Sequence, residues 1–332
     1  MKAKILALLR DRGDYISGQE MCDMLGVSRT AVWKVIGQLK KEGYPIEAVQ
    51  NRGYRLQDEE QDDFYNEADL RSRMKTSWAG KELVFFPETD STNIQAKLLA
   101  EKGAPHGQLV VSDMQTGGRG RRGRQWKSPA GSNIYFSLML RPDLEPNRAS
   151  MLTLVMAMAV AGGIEKNLDG IVKPEIKWPN DILIQGKKTC GILTEMSLSV
   201  EQDSISYVVV GVGINVLEQS FPEEIADKAT SIAAAAGKNP SRSRLLADIM
   251  EAFEAYYECF MEYQTLEGLM DEYNGRLVNV GKQVRILDPK GEYEAVAEGI
   301  NRMGELRVEL PDGTTQNIYA GEVSVRGTDG YV

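Results

Sequence analysis

The chain has 332 residues, a net charge of −9 and 26% charged residues. That is about twice a typical domain length, which excludes a single small module and leads us to expect two or three domains, each with its own core. No signal-peptide pattern opens the chain, and the longest uncharged apolar run, residues 151–164, is shorter than the ~20 residues of a membrane span, so a soluble cytoplasmic protein with no membrane partner is expected.

Three cysteines, Cys22, Cys190 and Cys259, lie far apart without metal-ligand spacing, which fits free thiols in a reducing compartment. The only histidine, His106, sits in the turn-like GAPHG. Histidine triads and His-ligated metals are therefore excluded, no metal site is expected, and a local structural role is assigned to His106.

Residues 1–57 carry ten Lys/Arg against six Asp/Glu, a balance of +4 that leaves −13 for the remainder. Ser17 with Glu20 forms a capping box for a short helix to Leu25, Gly26 and Val27 make a turn, and Ser28 caps a second helix to Glu42. In that second helix Val32, Val35, Ile36 and Leu39 form one apolar face, while Thr30, Trp33, Lys34 and Gly37 occupy the other. Residues 46–56 read as a β-hairpin turning near Asn51, Arg52 and Gly53. This pattern resembles a winged-helix DNA-binding domain, with Ser28, Arg29, Thr30, Trp33, Lys34 and Arg52 as DNA-contact candidates. The competing reading is a helical module for protein contacts with Trp33 buried. A domain this small binds one half-site weakly, so operator recognition calls for a dimer. Residues 57–67, with six acids and no base, read as a solvated linker or domain edge.

From 81 to about 274, short β-rich runs alternate with helical ones. Strands are expected at 83–86, 108–112, 133–140, 175–177, 181–184, 191–196 and 207–212, and helices at 92–102, 150–167 and 241–263, giving a mixed α/β layer around one sheet. Polar segments interrupt the apolar strands: TDSTN (89–93), QTGGRGRRGRQW (115–126), KWPND (177–181), GKKTCGILTE (186–195) and GVGIN (211–215). The second of these alternates glycines with arginines. Its backbone can therefore bend sharply against a ligand while guanidinium groups supply fixed planar charge, a combination suited to phosphate or carboxylate. A solvated charged loop is the plainer alternative, as an exposed hairpin tip is for Lys187 and Lys188 and a helix cap is for Asp181.

In this order and spacing the segments resemble the biotin protein ligase family, and the N-terminal winged helix makes the chain similar to its bifunctional members, the biotin operon repressors. The resemblance implies an α+β multidomain protein: a winged helix-turn-helix with acidic linker (1–66), a mixed α/β catalytic domain of the biotin/lipoate ligase type (67–275) and an SH3-like β-barrel (276–332). It implies that biotin and ATP, with Mg2+ on the nucleotide, form biotinyl-5′-adenylate, from which a lysine of a biotin carboxyl carrier protein, of acetyl-CoA or pyruvate carboxylase, takes the biotinyl group. Ser91, Thr92, Asn93, Gln115, Arg119, Gly120, Arg121, Lys188 and Gly191 are implied as biotin contacts. Gly118, Arg121, Arg122, Arg124, Lys177, Asn180, Asp181, Asn215 and Arg326 are implied as ATP or adenylate contacts, and Lys188 and Arg121 as catalytic. The loop 117–127 is expected to be mobile without ligand, and the segment 229–237 supplies no tryptophan for adenine. The family also implies operator DNA as a partner and a homodimer when the adenylate is bound. Two other functions remain open at this point: a biotin-sensing repressor without ligase activity, and a lipoate-type ligase. Beyond residue 281, strand patterns separated by DPKG and PDG turns read as the small C-terminal barrel.

Overall fold

The computed structural model of the chain describes residues 1–57, 63–199, 204–288, 291–319 and 324–327. The chain opens with α1 (Lys2–Arg12), α2 (Gly18–Leu25) and α3 (Arg29–Lys41), followed by the antiparallel hairpin of β1 (Ile46–Val49) and β2 (Gly53–Leu56). Both expected caps are present: Ser17 Oγ accepts the Glu20 N–H at 3.1 Å and Ser28 Oγ accepts the Ala31 N–H at 3.2 Å. Ile5, Leu6, Leu9, Met21, Val32, Ile36 and Leu39 form this unit's own core, which draws the apolar face of α3 inward and leaves its polar face to solvent.

The acidic segment is not wholly solvated. Residues 58–62 lie outside the described residues, but Asp63 takes the Arg242 guanidinium at 2.6 Å, Phe64 stacks on Tyr44, and Tyr65 is buried under Arg242. A permanently charged, buried arginine needs carboxylate partners, and one of the expected linker acids supplies one. Next comes α4 (Glu67–Arg73), whose buried Asp69 joins Arg10 of α1 to Arg73.

The central sheet is assembled from β3 (Leu83–Phe86), β4 (Gln108–Ser112), β5 (Ile134–Leu140), β6 (Glu175–Lys177), β7 (Asp181–Ile184), β8 (Lys187–Ser199) and β9 (Ser204–Ile214), in the order β3-β4-β5-β9-β8-β7-β6. Only β3 and β4 run parallel; every other neighbouring pair is antiparallel. Helix α5 (Thr92–Glu101) covers one face through Ala96 and Ala100 against Val110, Met139 and Val209. The other face packs on α6 (Met151–Asn167) and α8 (Arg242–Tyr263), with the short α7 (Ile232–Ala236) at the sheet end. Together with the turn before it, α6 is long and apolar enough to cross a membrane, but it is buried at the centre of this core.

After α9 (Met270–Arg276) the chain forms β10 (Gln283–Asp288), β11 (Gly291–Ile300), β12 (Leu306–Glu309), β13 (Thr315–Ile318) and β14 (Ser324–Gly327), an antiparallel sheet in the order β13-β12-β11-β10-β14. Among the described residues no ladder joins β13 to β14, so the expected closed barrel is seen only as a five-stranded sheet. The sheet is tied to the centre by Trp178, buried, whose Nε1–H donates to the Gly304 carbonyl at 3.0 Å.

Candidate functional site

The site lies on the α5 face of the sheet, where that face is stripped of side chains. Ser137 on β5 pairs with Gly211 on β9, and Gly213 pairs with Gly191 on β8. A Cβ at Gly211 would stand 1.8 Å from Asn93 Oδ1, and Cβ atoms at Gly213 and Gly191 would stand 2.5 and 2.9 Å from the Trp126 ring. Only glycine leaves room there for an amide and an indole to lie on the strands.

Helix α5 points its N-terminus into this slot. Ser91 does not cap it through its side chain. Gln115 Oε1 accepts the Thr92 N–H instead, at 2.9 Å, while Gln115 Nε2 donates to Ser128 Oγ at 2.9 Å. The glycine/arginine segment folds back as a tight turn, with the Gly120 N–H on the Arg124 carbonyl at 2.7 Å and the Trp126 N–H on the Gly118 carbonyl at 3.0 Å. Arg121 leaves it to donate to Asn180 Oδ1 at 2.8 Å. Burial lowers the Arg121 pKa, and Asp181 opposes that shift.

On the neighbouring strands Lys188 Nζ bonds Asp181 Oδ1 at 2.6 Å and lies 5.5 Å from the centre of the Trp126 ring. Asp181 therefore begins a strand rather than capping a helix, and Lys188 is half-buried rather than an exposed tip. Asn180 Nδ2 donates to the Ile192 carbonyl at 3.1 Å, and Asn215, buried, donates to the Thr230 carbonyl at 3.3 Å. Lys177 is 5% exposed and faces Asp181 across the β6–β7 pair.

Two cavities result. The inner one holds about 50 Å³ and the outer one about 1520 Å³. All nine residues matched to biotin contacts, Ser91, Thr92, Asn93, Gln115, Arg119, Gly120, Arg121, Lys188 and Gly191, line the inner cavity. Of the nucleotide set, Gly118, Arg121, Arg122, Arg124, Lys177, Asn180, Asp181 and Asn215 line the outer one. Arg326 is paired through its backbone with Arg285, but its side chain lies outside the described residues; its neighbour Val325 reaches the outer cavity. Gln115, Gly120, Arg121, Trp126, Asn180 and Lys188 line both cavities.

Residue-by-residue matching passed over Trp126, although it ends the arginine segment, and also Ser137 and Glu195. Ser137 is the one serine in the otherwise apolar and aromatic strand IYFSLML, a signal that was available. The outer cavity also carries an apolar wall of Phe221, Pro222 and Ile225. Among the described residues no group of three His, Cys, Asp or Glu could hold a metal ion. Cys190 is fully buried, and burial pushes its thiol pKa up, away from nucleophile chemistry.

In the N-terminal unit Trp33 is 70% exposed, and Arg29, Thr30 and Lys34 are exposed beside it on α3. Trp33 is thus not buried as the protein-contact reading supposed. Arg29 Nε donates to Gln19 Oε1 at 2.8 Å, Ser28 is spent on its cap, and Arg52 lies 4.2 Å over the Tyr15 ring in the hairpin turn.

Fold and site together define a helix-turn-helix regulator fused to a ligase domain of the biotin/lipoate class. The biotin/lipoate A/B protein ligase family model matches residues 85–215, an HTH domain model matches 2–55, and the biotin protein ligase C-terminal domain model matches 280–326. The chain is 39% identical over 330 residues to the bifunctional ligase/repressor BirA of Bacillus subtilis, covering 98% of each chain. It is 30% identical over 327 residues to that of Escherichia coli, covering 98% of this chain and 97% of the other. A biotin protein ligase from Aquifex aeolicus in complex with biotin and ATP superimposes with a TM-score of 0.64 at 30% identity, covering 75% of this chain and 100% of that one. The chain belongs to the bifunctional biotin ligase/repressor family.

Proposed function

We propose that the chain joins biotin to a lysine of a biotin carboxyl carrier protein through biotinyl-5′-adenylate, and that it represses transcription at an operator in response to biotin. The observation that carries this is the meeting of the two cavities at Arg121 and Lys188. A carboxylic acid seated in the inner cavity presents its carboxylate where a nucleotide in the outer one presents its α-phosphate.

No protein nucleophile is needed, because the carboxylate attacks phosphorus and pyrophosphate leaves. What the protein must supply is alignment of two mutually repelling anions and positive charge where charge grows in the transition state. Arg121 and Lys188 serve at the junction. Arg122, Arg124 and Lys177 serve the phosphates, with the backbone of 118–120 over the biotin carboxylate. Asp181 neutralises Lys188 at 2.6 Å, and a substrate carboxylate replaces it as the partner. Asn180, Asn215 and Asp181 hold the nucleotide, and Mg2+ arrives on its phosphates, with Asp181 as the nearby carboxylate. Adenine lies against Trp126, Phe221 and Ile225, which answers the lack of a tryptophan in 229–237. Arg326 reaches toward the phosphates from a C-terminal module of SH3-like type.

The division of labour is 1–66 for DNA, 67–275 for catalysis and 276–332 as the C-terminal cap, in a cytoplasmic protein. Thr30, Trp33 and Lys34 enter the major groove, with Ser28, Arg29 and Arg52 supporting that docking. If the adenylate binds a dimer-competent state best, the reaction intermediate is also the corepressor. The polar Ser91-Thr92-Asn93 set favours a ureido ring over the apolar dithiolane of lipoate, and the outer cavity's cations disfavour a sensor without catalysis.

The test is exchange of labelled pyrophosphate into ATP, with biotin, with lipoate and without acid. Exchange with biotin alone is expected. Binding of biotin without exchange would overturn the enzymatic reading in favour of the sensor.

A further inference from the structure

Asp69 is completely buried and lines neither cavity, yet both of its carboxylate oxygens are held. Arg10, on α1, bonds Oδ1, and Arg73, one turn further along α4, donates its Nε–H to Oδ2 at 2.8 Å. Arg10 also bonds Ser72 Oγ, and that hydroxyl donates to the Asp69 carbonyl at 2.6 Å. The grip of Arg10 therefore crosses from the N-terminal unit to the catalytic body at a point well away, along the chain, from residues 58–62.

Each side of this contact is itself fixed. On the catalytic side, α4 is seated by Leu70, buried in the central core, and by Arg71, which bonds the Leu83 carbonyl of β3. On the N-terminal side, Leu6 and Leu9 of α1 share one core with Val32, Ile36 and Leu39 of α3, so a turn of α1 carries α3 with it. A second contact lies between the same two units. Tyr44 stacks on Phe64 with ring centres 4.0 Å apart, and its hydroxyl accepts from Asn66 Nδ2 at 3.1 Å. Phe64 is in turn held on α8, where Ser243 Oγ donates to its carbonyl at 2.6 Å.

A buried ion pair adds little net stability, because stripping water from both charges costs about as much as their attraction gains. What it does well is discriminate among arrangements. A stacked ring pair tolerates sliding, whereas a carboxylate gripped on both oxygens accepts each guanidinium from one direction. We propose that Asp69, through Arg10, is a positioning residue that holds the winged unit in one orientation on the catalytic body and thereby sets the spacing of the two half-sites a dimer can read. The inference rests on the reading that the chain represses at an operator as a homodimer. Two α3 helices enter their major grooves together only if each is held at a fixed angle to its catalytic body, while a single half-site is indifferent to that angle. Lys75 and Asp11 also face each other across the units, at 3.7 Å, but both are too exposed to fix an orientation.

The experiment uses the full-length protein with biotin and ATP. A half-site is first recovered by selection from duplex DNA with a randomised centre. It is then built into duplexes that carry one copy, or two inverted copies with spacers stepped by single base pairs over one helical turn. Affinities are read by fluorescence anisotropy, with dimerisation followed by sedimentation and pyrophosphate exchange measured alongside. The parent protein is expected to prefer its best spacing over one half a turn away by about a hundredfold. Arg10→Gln, which leaves Asp69 paired with Arg73, is expected to flatten that ratio by about tenfold, most of it lost at the best spacing. Single-copy affinity, dimerisation and exchange should each stay within about twofold, because none of them depends on the angle between the units.

Asp69→Asn keeps the Arg10 charge and gives the second arm. It should flatten the spacing profile as Arg10→Gln does, and the double variant should do no more than either single one, because all three cut the same tie. Arg10→Gln decides the matter alone if Asp69→Asn does not fold. Were Arg10 a phosphate contact instead, Arg10→Gln would weaken every duplex alike and Asp69→Asn would not. That pattern, an unchanged spacing ratio in Arg10→Gln, or a parent protein with no spacing preference would overturn the proposal. Recovery of no DNA at all by the parent protein overturns the operator reading instead, and so the two failures are told apart.

Discussion

The inner and outer cavities share a wall but are built on opposite plans. The inner one is small, and its polar atoms are already committed to each other: Gln115 to Thr92 and Ser128, Asn93 to Glu195 and Ser137. The outer one is about thirty times larger, and cations line it where it meets the inner one, Lys188 paired with the Asp181 carboxylate and Arg121 hydrogen-bonded to the Asn180 amide. Recognition of a neutral ring calls for pre-set donors and acceptors, because a buried polar atom with no partner costs more than a good bond gains. Binding of a polyanion calls for cations kept soluble and in place until it arrives, which a carboxylate such as Asp181 does. The inner cavity is therefore specific before any ligand binds, and the outer cavity becomes so by exchanging its counter-ions.

The largest expected effect lies at the junction. Lys188→Ala should cut adenylate formation by about two to three orders of magnitude, the scale of one lost transition-state contact, while operator affinity without ligand stays nearly unchanged. Unaltered exchange in that variant would remove Lys188 from the chemistry. Next, Gly211→Ala forces the Asn93 amide off the sheet, and overpacking of about 1–3 kcal/mol should weaken biotin about ten- to hundredfold. ATP binding in the outer cavity should persist; if ATP weakens as much, the two cavities are not independent.

Trp126→Ala removes the shared wall and should weaken biotin and ATP together, each by about tenfold, as expected for loss of a packed aromatic contact. An effect on one ligand alone would assign the indole to one side.

The smallest effect is the response to pH. The folded Glu195 carboxyl lies below its ordinary value of 4.5, so its contribution is fully present above that value and is lost only as pH falls through the folded pKa. Biotin affinity should stay flat as pH drops from 8 to 5. Stability follows another course, because burial lowers the pKa of His106, whose Nδ1 accepts the Arg141 N–H at 3.0 Å. Its neutral form is stabilising above the ordinary 6.5, and that stability is lost as pH falls below it. His106→Gln should flatten that stability loss in thermal melts and leave the biotin titration unmoved.

Much of this was legible in the sequence where function and local structure use the same residues. Strands 175–177 and 181–184 fall on the short β-rich runs of the sequence, and the motif residues converge because they sit on strands, strand ends and a helix start that face one slot. Less legible were the residues whose work depends on a partner distant in sequence. Ser137 is 44 residues from Asn93 and Glu195 is 102, so no local pattern marks them as one chain. The acidic stretch 57–67 misled in part for the same reason. Asp63 reads as solvent-seeking, and only the fold brings Arg242 to it from 179 residues away.

The tie between Trp178 and Gly304 decides how the molecule can be divided. The tryptophan belongs to the KWPND motif of the outer cavity, but the acceptor of its indole N–H is a carbonyl of the C-terminal module, 3.0 Å away. Nearby, the Val278 N–H bonds the Ile176 carbonyl and the Leu266 N–H bonds the Arg302 carbonyl, at 2.9 and 2.8 Å. A chain ended at 275 would lose that acceptor and uncover the indole to water, giving up the burial of a large aromatic side chain. The N-terminal unit has a core of its own and meets the rest through side-chain ties such as Arg10 on Asp69 and Tyr44 on Phe64. The C-terminal unit is part of the wall, with Val325 on the outer cavity, so a minimal ligase made by trimming this chain is expected to tolerate a cut at the front better than one at the end.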